Sequence, residues 1–68
     1  MEAVRFEFQD CEFLDNGKTV KIPNGIWNVA ELDIVTIWLS NGIEIRLYRT
    51  QFNILKAQKM AIKITNNY

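Results

Sequence analysis

The chain has 68 residues, 49% of them hydrophobic, and equal numbers of acidic and basic side chains, so its formal net charge is zero. A chain of this length forms at most one domain and buries only about 60% of its unfolded surface. One cysteine and no histidine are present, which excludes an internal disulfide and a zinc site built on cysteine and histidine. Small scaffolds usually need a disulfide, a metal or a partner chain, so we expect a homo-oligomer.

The distribution of apolar and charged residues limits where the protein acts and on what. There is no apolar run of about 18 residues and no signal-peptide pattern, so we expect a cytoplasmic protein without a membrane span. Residues 1–33 carry a net charge of −4 and residues 34–68 a net charge of +4. The basic half is a candidate nucleic-acid or acidic-protein surface; the alternative is that solvated faces simply differ in charge.

Apolar and charged residues alternate from residue 3 to residue 8, which predicts a first strand with Val4, Phe6 and Phe8 facing inward. The alternation changes phase before Cys11, so we expect a bulge or a bend between the two segments. A bend would divide this part of the chain into two strands.

The first hairpin signal is Asn16-Gly17, a dipeptide that favours a tight turn. A two-residue loop pairs Phe13 with Val20 and keeps the apolar residues on one face. The same register places Glu12 opposite Lys21, which is a favourable cross-strand pair.

The central stretch, Val35–Leu47, alternates in the same way on both sides of Asn41-Gly42. A two-residue loop would place Leu39 opposite Glu44 and mix apolar and charged groups on both faces. A three-residue loop that begins at Ser40 instead gathers six apolar side chains on one face, and we predict a type I turn with a left-handed glycine in a bulge. The pairs are then Leu39 with Ile43, Ile37 with Ile45, and Val35 with Leu47, and the opposite face carries Thr36, Trp38, Glu44, Arg46 and Tyr48.

The segment between the two hairpins begins with Pro23-Asn24-Gly25, which predicts a turn. Asn28 and Glu31 have the spacing of a helix N-cap and its partner, so we expect a single helical turn before the next strand. Trp27 lies in this connection and is expected to cap one end of the core; an exposed binding role is the alternative.

Residues 50–59 favour a short helix after the central hairpin. Thr50 is the expected cap, and Ile54, Ala57 and Ala61 fall on one face. A strand at residues 52–55 is the competing interpretation.

The C-terminal pattern completes the predicted fold. Met60, Ile62 and Ile64 alternate and predict a final strand, after which residues 65–68 are expected to fray. Five strands result, or six if the bend divides the first. We therefore predict one all-β, mainly antiparallel domain over residues 1–68: a curled sheet or an SH3/Sm-like open barrel with one short helix.

Groups that carry enzymatic chemistry are scarce. Without histidine the commonest general base is missing, and Cys11 lies between acidic residues, which raise a thiol pKa rather than lower it. Asp10, Glu12 and Asp15 crowd one hairpin, but their spacing matches no cation-binding loop. The three glycines are too scattered for a phosphate loop. We expect a protein that is not an enzyme and that uses no cofactor and no metal.

The best binding candidate is the face opposite the core of the central hairpin. Trp38, Arg46 and Tyr48 belong to the residue types enriched at interface hot spots, and Glu44 lies beside Trp38. The same aromatic and guanidinium groups suit single-stranded nucleic acid. The alternative is that the short helix or the last strand covers Trp38 in a two-sided core.

Three classes of function fit these features, and we favour the first. It is a protein-interaction module, of the kind a phage or mobile element uses as an accessory factor to modulate a host protein. The second is a small barrel that binds RNA or single-stranded nucleic acid, which zero net charge disfavours. The third is a subunit of a ring or filament whose acidic and basic halves meet head to tail. The candidate nucleic-acid-binding residues are Arg46, Arg49, Lys56, Lys59 and Lys63.

The stretch from Val35 to Ile45 resembles the first-motif hairpin of bacterial Sm-like RNA chaperones of the Hfq type. This resemblance implies a small barrel and a ring assembly. The chain departs from the family elsewhere: it begins with predicted strands instead of a helix, Arg46-Leu47-Tyr48 lacks the glycine of the bent second strand, and no Tyr-Lys-His segment follows. No residue role is therefore carried over from that family.

Overall fold

The computed structural model describes residues 4–64. Within this range the chain forms seven strands and one helix. The strands are β1 Val4–Phe8, β2 Cys11–Asp15, β3 Lys18–Ile22, β4 Gly25–Ala30, β5 Ile34–Trp38, β6 Glu44–Tyr48 and β7 Ala61–Lys63, and the helix α1 is Arg49–Ala57. The predicted antiparallel all-β fold with one helix is confirmed, and the expected fraying of residues 65–68 lies outside the described residues.

Five strands form one antiparallel sheet in the order β6-β5-β4-β1-β7, and β2 and β3 form a separate two-stranded ribbon. The large sheet is curled and does not close into a barrel. Because β6 and β7 lie at opposite edges, the chain between them must cross one face of the sheet. A nine-residue helix is about 13 Å long, and α1 makes this crossing against β5, β6 and β7.

The core lies between the sheet and α1. Phe52 of the helix meets Phe6 of β1 edge to face, with ring centroids 5.2 Å apart and planes at 72°, a geometry that aromatic pairs prefer. Leu55, one turn further along the helix, is also buried. The other residues of this core are Phe8, Ile22, Val29, Val35, Ile37, Leu39, Leu47 and Ala61. Ala30 is also buried, but it lies on the opposite face of β4 beside Thr36.

The helix is confirmed, but its predicted buried face and cap are wrong. Ile54 is 46% exposed and Ala57 is exposed, because the crossing direction turns the Phe52 side of the helix toward the sheet. The helix begins one residue before Thr50, and its N-cap residue, Tyr48, makes no side-chain capping bond. The helix begins at Arg49, immediately after Tyr48, the last residue of β6.

Both hairpin registers are confirmed. In the first hairpin Phe13 pairs with Val20 and Glu12 with Lys21. In the central hairpin Val35 pairs with Leu47, Ile37 with Ile45 and Trp38 with Glu44.

The bulge of the central hairpin is also as predicted. Gly42 has φ +92°, and its N–H donates to the carbonyl of Leu39 at 3.1 Å, while the N–H of Leu39 donates to the carbonyl of Ile43 at 2.9 Å. Ile43 and Gly42 together face Leu39, as a bulge requires. Ile43 is nevertheless 52% exposed, so the six-residue apolar face loses one member at the bulge.

The expected helical turn at residues 28–31 is wrong, because this segment belongs to β4. β4 pairs with β1 on one side and with β5 on the other, and two strand partners outweigh a four-residue capping pattern. Trp27 is half-buried against the core, as expected, and its Nε1 donates to the carbonyl of Pro23 at 2.9 Å. Its ring lies over Gly25, where an added Cβ would come within 2.4 Å of it.

The predicted bend after the first strand is confirmed, and the last strand differs in phase from the prediction. The chain leaves the sheet after Phe8 and enters the ribbon at Cys11. In β7, Ala61 faces the core and Ile62 points away from it, with 47% of Ile62 exposed. The cause is the pairing with β1, which sets Ala61 opposite Phe8 and Ile62 opposite Glu7.

Candidate functional site

The face of the five-stranded sheet that points away from α1 is called the outer face below. Trp38, Glu44, Arg46 and Tyr48 all lie on it, because they alternate with core residues along β5 and β6. Trp38 is 37% exposed and Tyr48 is 45% exposed. Cover by the helix or the last strand, the alternative for Trp38, is ruled out because α1 packs on the other face and β7 lies at the far edge.

The four residues form a stripe and not a single pocket. Trp38 lies directly opposite Glu44, and the guanidinium of Arg46 lies 3.3 Å from the Glu44 carboxylate. Both charged side chains are well exposed, so the pair contributes less than about 1 kcal/mol. Tyr48 lies four residues beyond Glu44 on β6, which is a distance of about 13 Å along a strand.

Tyr48 also anchors the tip of the first hairpin. Its backbone N–H donates to Oδ2 of Asp15 at 3.3 Å, and its hydroxyl accepts a bond from Nδ2 of Asn16 at 3.3 Å. A surface depression of about 160 Å³ lies at this junction, between the hairpin tip and residues 46–48. The aromatic side chain is therefore partly committed to holding the ribbon in place.

The outer face is more apolar than the sequence suggested. Ile26 is 50% exposed, Ile34 is 43% exposed and Ile62 is 47% exposed. Ile34 lies opposite Tyr48, whereas Ile26 and Ile62 flank Glu7 across β4, β1 and β7. Sequence reasoning missed Ile26 because residues 25–30 were not predicted as a strand, although Trp27 and Val29 alternate there.

The charged residues of the outer face are balanced in sign. Arg5 and Glu7 of β1 and Glu44 and Arg46 of β6 all alternate with inward-facing side chains on their strands. Two are acidic and two are basic. This face therefore has no electrostatic preference for a phosphate backbone.

Three of the five candidate nucleic-acid-binding residues come together elsewhere. Lys56, Lys59 and Lys63 line an open cleft of about 660 Å³ between α1 and β7. Glu31 also lines it and accepts a bond from Lys56 Nζ at 2.8 Å. The other two candidates are not part of this cleft: Arg46 lies on the outer face, and Arg49 lines a separate depression that includes Asp33.

The acidic and basic halves of the sequence are not separated into two regions of the folded protein. In the sheet order, β1 and β4 from the acidic half lie between β5 and β7 from the basic half. The Glu31–Lys56 contact joins the two halves directly.

Cys11 and the acidic side chains are the groups that the sequence offers for catalysis or metal binding. Burial and the nearby Asp10 carboxylate raise the pKa of the Cys11 thiol, partly offset by a backbone hydrogen bond at Ile22, so little thiolate forms at neutral pH. Residues 4–64 contain no cluster of three cysteine, aspartate or glutamate side chains able to hold a metal ion. The helix they contain is too short and too polar to cross a membrane.

No protein-family model, curated protein or solved structure matches this chain.

Proposed function

We propose that the protein is a non-enzymatic interaction module that binds another protein through the outer face of its five-stranded sheet. The observation that carries the proposal is that α1 covers one face of the sheet, whereas no helix or strand formed by residues 4–64 covers the other, which exposes apolar side chains. Five large hydrophobic side chains are between 37% and 50% exposed there: Ile26, Ile34, Trp38, Tyr48 and Ile62. A sheet face that exposes this many large apolar side chains is a candidate interaction site, because large exposed apolar areas on soluble proteins mark such sites.

The chemistry of this face favours a protein partner over a nucleic acid. Its apolar side chains alternate with charges of both signs, whereas a surface that binds a phosphate backbone needs an excess of positive charge. Trp38 is the expected anchor, since tryptophan is the residue type most enriched at hot spots. Ile26 is its diagonal neighbour across β4 and β5, at a separation of about 7–8 Å that an aromatic side chain spans. Such a module suits a phage-type or mobile-element accessory factor that modulates a host protein.

The test compares three baits in extract from the source organism, treated with nuclease. The baits are the wild type, Trp38→Ala, and the control Leu14→Ala, which removes a side chain 69% exposed on the separate ribbon. We expect a protein that is retained by the wild type and the control and lost with Trp38→Ala. With that partner purified, Trp38→Ala should weaken binding by about 2 kcal/mol, or roughly 30-fold.

The contrary results are equally defined. Equal capture by all three baits would remove the outer face from the interaction. Unfolding of Trp38→Ala, seen by circular dichroism, would place Trp38 in a structural role, and Ile62→Ser then tests the same face from β7. Capture that occurs only in a parallel extract without nuclease would instead support nucleic-acid binding, the second candidate function.

The second candidate is binding of RNA or single-stranded nucleic acid at the three-lysine cleft. Lys56, Lys59 and Lys63 supply the positive charge that phosphate binding needs. The cleft lacks the stacking aromatic that such sites use, since its one aromatic, Phe6, is 1% exposed. Oligonucleotide binding that weakens steeply with salt and is lost in Lys59→Ala and Lys63→Ala would establish it.

A further inference from the structure

We propose that two copies of this chain associate through the free edge of β6 and join their five-stranded sheets into one. The inference deepens the proposed interaction role by naming one partner, a second copy. It uses the backbone edge of β6 and the Glu44 and Arg46 side chains at the border of the outer face, but not Trp38, so the two proposals can be tested separately.

The first step is the direction of the β6 backbone groups. The N–H of Arg49 donates to the carbonyl of Asp33 at 3.3 Å, and the N–H of Leu39 donates to the carbonyl of Ile43 at 2.9 Å. Hydrogen-bonded pairs alternate along an antiparallel ladder, so residues 45 and 47 bond to β5. The N–H and carbonyl groups of Glu44, Arg46 and Tyr48 must therefore point away from β5.

The second step is that this edge is still open where a partner would pair. β6 is an edge strand of the sheet, and the first hairpin contacts it at Tyr48, whose outward N–H is held by Asp15. Within residues 4–64, no hydrogen bond engages the outward backbone N–H and carbonyl groups of Glu44 and Arg46. The hairpin tip borders Arg46 and Leu47 across an open depression. The opposite edge strand, β7, has only three residues and ends in Lys63. A short edge strand and a lysine are two features that protect natural sheets from edge pairing.

The third step is that only one two-fold register satisfies both charge and hydrogen bonding. With Ile45 opposite its own copy, Glu44 of each chain lies opposite Arg46 of the other, and these pairs form the hydrogen-bonded rungs. A shift that centres Arg46 or Glu44 sets like charges directly opposite, which is destabilising. A one-residue slip turns inward-bonded groups toward the partner and moves side chains to the wrong face.

The register centred on Ile45 is compatible with two irregular features of the β6 edge. These are the bond between Asp15 and the Tyr48 N–H, and the exposed Ile43 at the bulge. Centring on Arg46 would require the N–H of Tyr48, which Asp15 already holds, whereas centring on Ile45 does not. Ile43, 52% exposed at the bulge, would lie opposite Leu47 of the second copy and be covered. The existing Glu44–Arg46 contact of 3.3 Å would become part of a four-charge cluster of alternating sign.

The test is a charge-reversal experiment read by sedimentation from micromolar to submillimolar concentration. We expect the wild type to dimerise and both Glu44→Arg and Arg46→Glu to weaken the dimer by about tenfold or more. An equimolar mixture of the two variants should dimerise again, because each then presents opposite charges to the other. The double variant E44R/R46E should also recover as a homodimer.

The matched control is E12R/K21E, which reverses the exposed cross-strand pair of the first hairpin, 3.6 Å apart, and should leave the dimer unchanged. Mixing also separates this inference from misfolding, because an unfolded variant would not recover on mixing. The register is checked by Ile45→Cys in a Cys11→Ser background, which should form a covalent dimer on mild oxidation, while Leu14→Cys should not.

A wild type that stays monomeric throughout, or variants that fail to recover on mixing, would overturn the inference. Trp38→Ala should leave the dimer intact, because Trp38 lies on β5. Loss of the dimer alone therefore counts against the β6 edge, and loss of Trp38-dependent capture alone counts against the outer face.

Discussion

The two hairpins have the same Asn-Gly turn dipeptide but occupy different places in the fold. In the first hairpin, β2–β3, Asn16 and Gly17 form the whole loop with φ of +52° and +80°. In the central hairpin, β5–β6, Gly42 adopts φ +92° as part of a longer loop with a bulge. The central hairpin lies within the five-stranded sheet, whereas the first forms a separate ribbon.

Burial differs as much as loop length. Val35, Ile37 and Leu47 of the central hairpin are at most 2% exposed, whereas Phe13 and Val20 of the first hairpin are only partly buried against the core. The comparison shows that the apolar pattern decides which residues pair within a hairpin. How deeply the hairpin is buried depends on what the rest of the chain places against it.

The largest expected effect comes from truncating one inward-facing apolar side chain in each hairpin. Ile37→Ala removes a fully buried side chain and should lower the free energy of unfolding by about 3 kcal/mol. Val20→Ala, at a half-buried position, should lower it by about 1 kcal/mol. Urea titrations followed by circular dichroism give both values. Equal losses would mean that the ribbon is as much a part of the core as the central hairpin.

The two turn glycines should show no such difference. Gly17→Ala and Gly42→Ala each place a side chain in the left-handed region, and an added Cβ meets nothing within 4 Å at either position. The cost is then that of the backbone alone, about 1.5 kcal/mol for each. Thermal unfolding of both variants measures it, with Ser40→Ala in the neighbouring loop as the control. A loss at Gly42 twice that at Gly17 would show that the bulge has a further constraint.

A smaller effect is expected where the ribbon is tied to the sheet. Asp15→Ala removes the acceptor for the Tyr48 N–H and should cost about 0.5–1 kcal/mol. The loss should be concentrated in the first hairpin, so that the amides of β2 and β3 exchange with solvent faster while those of β5 keep the protection set by global unfolding. Asp10→Ala, in the link before β2, is the control. A uniform change across all strands would mean that the ribbon opens only with the whole domain.

The same comparison explains which features were readable from the sequence. Register within each hairpin was predictable, because a slip would have exposed residues such as Ile37 or Phe13. The β4 strand was not, because the Asn28 capping pattern is local, whereas the pairing that overrides it involves β1 and β5. The buried helix face, Phe52 and Leu55, depends on the direction in which α1 crosses the sheet. The outward position of Ile62 likewise follows from its pairing with Glu7.

The candidate site was predictable to the same extent. The exposure of Trp38 and Tyr48 followed from alternation within one hairpin. The apolar neighbours that complete the outer face, Ile26 and Ile62, lie on strands that are adjacent only in the folded sheet. Alternation in the sequence indicates which residues of one strand lie on the same face. It does not indicate which strands are neighbours in the sheet.

The smallest expected effect is the sharpest test of what sets the register. Deleting Ser40 leaves Asn41-Gly42 as a two-residue loop, and Leu39 then still lies opposite Ile43. Since every buried pair of the central hairpin is preserved, stability should change by no more than about 0.5 kcal/mol. Cross-strand NOEs between residues 37 and 45 check the register directly. Loss of those contacts in a folded protein would show that the bulge, and not the apolar face, selects the pairing. The two hairpins would then differ in what sets their register as well as in burial.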